Sequence, residues 1–367
     1  LFIDIVATPG FEHSPAIGLA AHFDTYPDGE PQIRPWVHEY ECGDIVLPER
    51  GTIIPASKLL GFKGHRIITS SGDSVLGADD KSGLAVIIEA MSTILSAHIA
   101  HGPIMLIFFP DEEAGELDIS NFPPERMNRL SALYTLDGGD FGTVDTGCYA
   151  GRQVTQTFRA EDTSPKIGYK FQVIFEGNDA HPGPYGNEII PAHIIACRYV
   201  MMLEQYTTQN FYSLRIEEVD GGAGTAKIIF YLATSQSVSY EVLKEDLLQQ
   251  TSDFYRLYHP KNLKLELLED CSGIMDKAQE QRERSMLCVA CESAVIISDS
   301  FPTPWDKDPA DGYVYCREVE MKNGLAVLSI IPRSFSDAQS LNYVQEMRKE
   351  FDTQTASYPH ITANFEV

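Results

Sequence analysis

Short apolar runs punctuate the chain, and in its first third each one ends on charge. IGLAA (residues 17–21) leads into His22-Phe23-Asp24, IMLIFF (104–109) into Asp111-Glu112-Glu113, and SALYTL (131–136) into Asp137-Gly138-Gly139. Runs of this length predict strands, and the unbroken apolar character of 104–109 predicts one buried on both faces. Between them VLGADDKSG (75–83) opens LAVIIEAMSTILSAHI (84–99), whose apolar positions recur at helical spacing. This pattern predicts an α/β fold, and in open α/β sheets ligands sit at the carboxyl ends of the strands.

Further along, residues 26–72 are rich in Pro and Gly and predict loops with a hairpin around 52–71. A different rhythm follows residue 151. Strands are predicted at 170–176, 227–233 and 264–268 and helices at 189–205 and 240–258, which together make a compact α+β unit. A helix at 286–297, a strand at 325–331 and a helix at 336–351 then predict a return to the first domain. The expected organisation is therefore a first part of a catalytic domain at 1–165, an inserted α+β domain at 166–272, and the rest of the catalytic domain at 273–367.

Length supports more than one core, since 367 residues exceed what a single domain commonly holds. The net charge of −25 argues against nucleic acid or an anionic membrane as partner, because both select for surplus Lys and Arg. No apolar run approaches the roughly 18 residues of a membrane span. The chain opens on Leu1 and enters FIDIVA at once, so a natural beginning upstream is expected. Seven cysteines at irregular spacing do not form a disulfide framework and suggest a reducing cytoplasm. Cys288 and Cys291 fall within the apolar helical pattern of MLCVACESAVII, which reads as buried structural thiols rather than a redox pair.

The candidate chemistry lies at the charged ends of the first three strands. A His-x-Asp pair lets the imidazole of His22 ligate a metal while Asp24 fixes its orientation. Asp79 and Asp80 stand at a helix start, where capping of free N–H groups accounts for one of the two carboxylates. Three consecutive acids at 111–113 repel one another, which calls for a positive partner or for one of them to stay protonated. One His and several carboxylates suit a hard or borderline cation, most simply zinc, although cobalt and manganese fit the same donors.

Five motifs in order, His22-Phe23-Asp24, Gly77-Ala78-Asp79-Asp80-Lys81-Ser82-Gly83, Asp111-Glu112-Glu113, Leu136-Asp137-Gly138-Gly139 and His181-Pro182-Gly183, resemble those of the co-catalytic zinc exopeptidases. Pro31-Gln32-Ile33 and Gly43-Asp44-Ile45 point within that family to the tripeptide aminopeptidases. The resemblance implies a mixed sheet flanked by helices plus an α+β lid domain through which two subunits dimerise. It implies two zinc ions, with His22 on one, Asp79 bridging both, and Glu113 and Asp137 each belonging to one. Asp24 would orient His22, Glu112 would be the general base, and His181 would reach the substrate or the partner's site. The implied reaction removes N-terminal residues from short peptides. The family has a further His ligand after its return strand; the matching stretch here, 331–337, has none. Two other readings stay open, a binding protein on the same fold and a dipeptidase or deacylase.

Overall fold

The computed structural model describes residues 1–26, 32–113, 117, 119–138, 142–144, 150–160, 168–180, 182, 186–210, 212–234, 239–270, 285–305 and 312–367. It divides into two compact units, Leu1–Asp145 and Thr146–Val367.

The first unit is built on four strands, β1 (Phe2–Ile5), β2 (Ala16–His22), β3 (Ile104–Phe109) and β4 (Leu130–Thr135), with one long helix, α1 (Ala78–Ser96). Their order is β1-β3-β2-β4. β2 runs parallel to both β3 and β4, and β1 closes one edge antiparallel to β3. The apolar run of β3 is buried on both faces. Ile104, Leu106 and Phe108 pack with Ala21 and with Ile87 and Met91 of α1, while Met105 and Ile107 pack with Ala20 on the other side. Because three neighbouring strands point the same way, their carboxyl ends share one rim, and the charged residues that follow them are brought together. In the loop-rich stretch, Trp36–Glu39 pairs with Arg66–Thr69 and Ile45–Val46 with Ile53–Ile54. The expected hairpin at 52–71 is thus replaced by two nested pairings, because both segments find partners upstream.

The second unit holds β5 (Val154–Arg159), β6 (Tyr169–Glu176), α2 (Ala192–Asn210), β7 (Tyr212–Gly221), β8 (Thr225–Thr234), α3 (Tyr240–Tyr258) and β9 (Asn262–Asp270). It continues with α4 (Met286–Ser300), β10 (Tyr313–Lys322), β11 (Leu325–Ser334), α5 (Asp337–Thr355) and β12 (Thr362–Glu366). The strands form one sheet in the order β9-β6-β8-β7-β10-β11-β5-β12, with Ala150–Gly151 alongside β11. This sheet is a duplication. β6-α2-β7-β8-α3-β9 and β5-α4-β10-β11-α5-β12 have the same element order, and their halves of the sheet mirror each other. Matching bulges interrupt the two hairpins, at Ile216/Glu218 and Cys316/Glu318. Where the halves meet, Asp220 of β7 pairs with Glu320 of β10, the residue in the same place of the other copy. An approximate two-fold axis therefore passes between them.

That arrangement corrects the expected domain organisation. The inserted segment is real, spanning one copy of the motif, but its host is a second copy of the same motif. Residues 286–366 complete the host copy's sheet rather than the four-stranded sheet of the first unit. β11 shows why: Ala326, Leu328 and Ile330 are buried while their neighbours are only half-buried, the alternation of an antiparallel strand with one covered face. The stretch 331–337 belongs to this sheet and the helix after it, so it is not the return strand of a metal-binding domain. Cys288 and Cys291 are buried in α4, as their apolar setting predicts.

Candidate metal centre

His22 is the last residue of β2 and is 1% exposed. Its Nδ1 faces Asp24 Oδ1 at 3.3 Å, and its Nε2 lies 3.0 Å from Asp79 Oδ1, 3.8 Å from Asp137 Oδ2 and 3.9 Å from Glu112 Oε2. Asp24 is held in turn by the backbone N–H of Glu113, which donates to its Oδ2 at 3.1 Å. Six of the seven residues expected at the site are accordingly gathered on the rim of β2, β3 and β4. The seventh, His181, lies outside the described residues.

The start of α1 is shaped to bring two carboxylates in. Gly77 takes a left-handed φ of 72° as N-cap, and Asp79 and Asp80 have non-helical backbone angles before the regular turns begin. Their side chains part as a result. Asp79 is 66% exposed, whereas Asp80 is 1% exposed, with its Oδ1 accepting from the N–H of Gly83 at 3.2 Å. A side chain at Gly83 would fall 2.1 Å from the carbonyl oxygen of Leu136 and 2.3 Å from Asp80 Oδ1, so the helix reaches the end of β4 only through a glycine.

Charge is out of balance here. Among the described residues, six carboxylates, Asp24, Asp79, Asp80, Glu112, Glu113 and Asp137, surround a single imidazole. Burial acts against the charged form of His22, yet the hydrogen bond with Asp79 and the fields of Asp137, Glu112 and Asp24 outweigh it and hold the imidazolium above the ordinary histidine range. Burial, followed by the contact with Asp79 and the charges of Asp79 and Asp80, pushes Asp137 up to about 7. Burial first, and then Asp79 and Glu112, raise Glu113. Burial raises Asp80 as well, against the Gly83 N–H. Asp24 goes the other way, because the backbone N–H groups of Glu113, Asp24 and Glu112 outweigh its burial.

These residues fit a divalent cation. His22 Nδ1, Asp24 Oδ1 and Asp80 Oδ2 are buried with no hydrogen-bond partner, an expensive state unless a positive group completes them. Ligand atoms of His22, Asp79 and Glu113, and likewise those of His22, Asp80 and Asp137, all lie within 4.8 Å of one another. Asp80 is the residue that the motif pattern did not single out. Its signal was present in the spacing, since a carboxylate three residues before a glycine at a helix start caps that glycine's N–H and is drawn inward.

Known proteins resemble the chain in sequence and in fold. Peptidase T of Clostridium botulinum (strain Langeland) is 32% identical over 289 residues, which is 76% of this chain and 60% of that protein. The chain is similar in sequence to peptidase T. A second peptidase T, from Desulfitobacterium hafniense, is 29% identical over 284 residues, 72% of this chain and 63% of the relative. The chain thus spans less than two thirds of the length of these relatives. In three dimensions it is similar to the aminoacylhistidine dipeptidase of Vibrio alginolyticus, with a TM-score of 0.55 at 16% identity over 100% of this chain and 69% of that one. That likeness shows the fold, mixed sheets flanked by helices. No family model matches the chain.

Proposed function

We propose that the chain is a metal-dependent aminopeptidase that removes N-terminal residues from short peptides, tripeptides foremost. The observation that carries this reading is the convergence of His22, Asp79, Glu112, Glu113 and Asp137 on one rim in a chain similar in sequence to peptidase T. Zinc is the metal that the imidazole and carboxylate donors favour, and two ions are expected. His22, Asp79, Glu113 and Asp137 would hold them, with Asp79 between the two. What a bound pair supplies is Lewis-acid polarisation of the scissile carbonyl and a more acidic water.

The protein's own groups do the rest. Asp24, fixed by the Glu113 N–H, faces His22 Nδ1 at 3.3 Å and so leaves Nε2 as the donor atom. Glu112 is the general base: its carboxylate is 43% exposed, close enough to His22 to share the centre and open enough to meet a substrate. It takes a proton from the attacking water and delivers it to the leaving amine. His181 is assigned to the substrate or the partner's site, and the inserted α+β segment to the role of lid. The free thiols suit a reducing cytoplasm. A homodimer joined through the inserted copy would have to avoid the edge strand β7, which β10 of the same chain already covers.

Glu112→Ala tests the assignment. Tripeptide cleavage after zinc reconstitution should fall at least ~100-fold, the lower range for loss of a general base, while zinc content stays unchanged. Cleavage that survives the substitution would remove Glu112 from the reaction. A dipeptidase is the second reading, favoured by a fold likeness to the Vibrio enzyme that covers the whole chain. Cleavage of dipeptides in preference to tripeptides would establish it.

A further inference from the structure

Among the described residues, the sheet of the second unit ends in two strands that are paired on one side only, β9 and β12. Such edges present backbone N–H and C=O groups ready to pair with another strand. Which groups face outward follows from the ladders. Gly177 N–H donates to the Gly224 carbonyl, so odd-numbered residues of β6 bond to β8 and even-numbered ones to β9. Their partners in β9 are Asn262, Lys264 and Glu266, which leaves Leu263, Leu265 and Leu267 with their backbone groups turned to the open side. The N–H of Leu263 agrees, since it donates to the side-chain Oδ1 of Asn262. The same alternation, set by the bond from Arg152 N–H to the Pro332 carbonyl, turns Phe365 of β12 outward. There the guanidinium of Arg348 lies over the Phe365 ring and donates to its carbonyl at 2.8 Å. The edge at β12 is thus guarded by an arginine, and the edge at β9 carries a row of leucines.

We propose that two copies of this chain join through β9, antiparallel to each other across a two-fold axis at Leu265. In that register Leu265 meets its own counterpart, Leu263 meets the partner's Leu267, and Lys264 stands opposite the partner's Glu266. Both charged pairs are then opposite in sign. Moving the axis by one residue would set Lys264 against Lys264 or Glu266 against Glu266, so charge selects the register. Asn262 Oδ1 yields the Leu263 N–H to the partner's Leu267. The helix above the edge is suited to the same contact. α3 buries Leu243, Leu247 and Phe254, and one flank of it, with Gln250 and Leu257, turns to α2. Exposed Leu248 and Tyr255 lie on the opposite flank, on the side of β9, where the axis would bring a second α3 beside them. The chain already holds one joint of this design, in which β7 meets β10 edge to edge and α2 packs on α4. This inference stands on the second unit alone and does not depend on the reading of the metal centre.

Substitutions in β9 separate this contact from any other. Lys264→Glu sets acid against acid in both charged pairs, and combining it with Glu266→Lys makes them opposite in sign again. Leu267→Pro removes an outward N–H without touching the ladder to β6, a change that edge strands tolerate. Light scattering and sedimentation of the full chain should show a dimer for the wild type. Its Kd should rise on the order of 10- to 100-fold in Lys264→Glu and in Leu267→Pro, and return toward the wild-type value in the charge swap. Hydrogen exchange at the amide of Leu265 should slow as protein concentration rises. A monomeric wild type overturns the inference. So does a dimer whose Kd neither Lys264→Glu nor Leu267→Pro moves, or one that the charge swap weakens as much as Lys264→Glu does.

Discussion

Asp137 marks the cost of gathering acids on one rim. Its carboxyl is raised from 3.8 to about 7 by burial and by Asp79 and Asp80. A carboxyl raised in the folded state stabilises the metal-free fold below its unfolded pKa and loses that contribution as pH climbs through the folded value. The metal-free protein should therefore weaken between about pH 4 and pH 7, and a cation should restore it by displacing the proton. Zinc binding is expected to release more protons at about pH 6 than at about pH 8, measured as the dependence of the calorimetric enthalpy on buffer ionisation. Equal release at both pH values would show that Asp137 is already ionised. His22, Asp79, Glu113 and Asp137 could be read from the chain because each follows a short apolar run or opens a helix, and such positions converge in a parallel sheet. Asp80 could not be told from Asp79 in that way. Two adjacent carboxylates look alike in such a pattern; the three-residue spacing of Asp80 to Gly83 separates them, and the non-helical turn at the start of α1 sends Asp80 inward.

At the level of elements, α1 and β4 meet through Gly83. Gly83→Ala places a methyl carbon 2.1 Å from the backbone oxygen of Leu136, an atom that cannot swing away. The expected cost is ~1–3 kcal/mol, typical of an overpacked contact, read as a lower denaturation midpoint of the metal-free protein. Stability equal to the wild type would mean that the helix start can shift. The elements legible in sequence were those with a clear apolar pattern: the helices α1 to α5 and the strands β2, β3, β4, β6, β8, β9 and β11. The strands β5, β7, β10 and β12 were not. β7 reads YSLRIEEVDG and β10 YVYCREVEMK, with charged side chains on the open face of the sheet and bulges that break the alternation. Half-buried strands of this kind carry too little apolar signal to stand out along the chain.

At the scale of the molecule, the duplication changes what the second unit is. The two copies share few residues in their hairpins, among them Glu218 and Glu318, Val219 and Val319, and Gly224 and Gly324, so the repeat is carried by burial pattern and bulge position. One copy is continuous in sequence, and the other is split around it. β5 finds its partners only in β11 and β12, with Val154 paired to Ile330 and Thr155 to Glu366. The inserted copy pairs β6 with β8 and β9 over far shorter loops. Nesting thus imposes an order on assembly, since closing short loops precedes closing long ones. During synthesis the inserted copy can complete its sheet while β5 still waits for β11 and β12 to leave the ribosome. Pulse-labelled hydrogen exchange during refolding should protect β6, β8 and β9 before β5, and simultaneous protection would mean that the two copies fold as one. Chain connectivity, rather than packing, would then set the moment at which β5 becomes most exposed to mispairing.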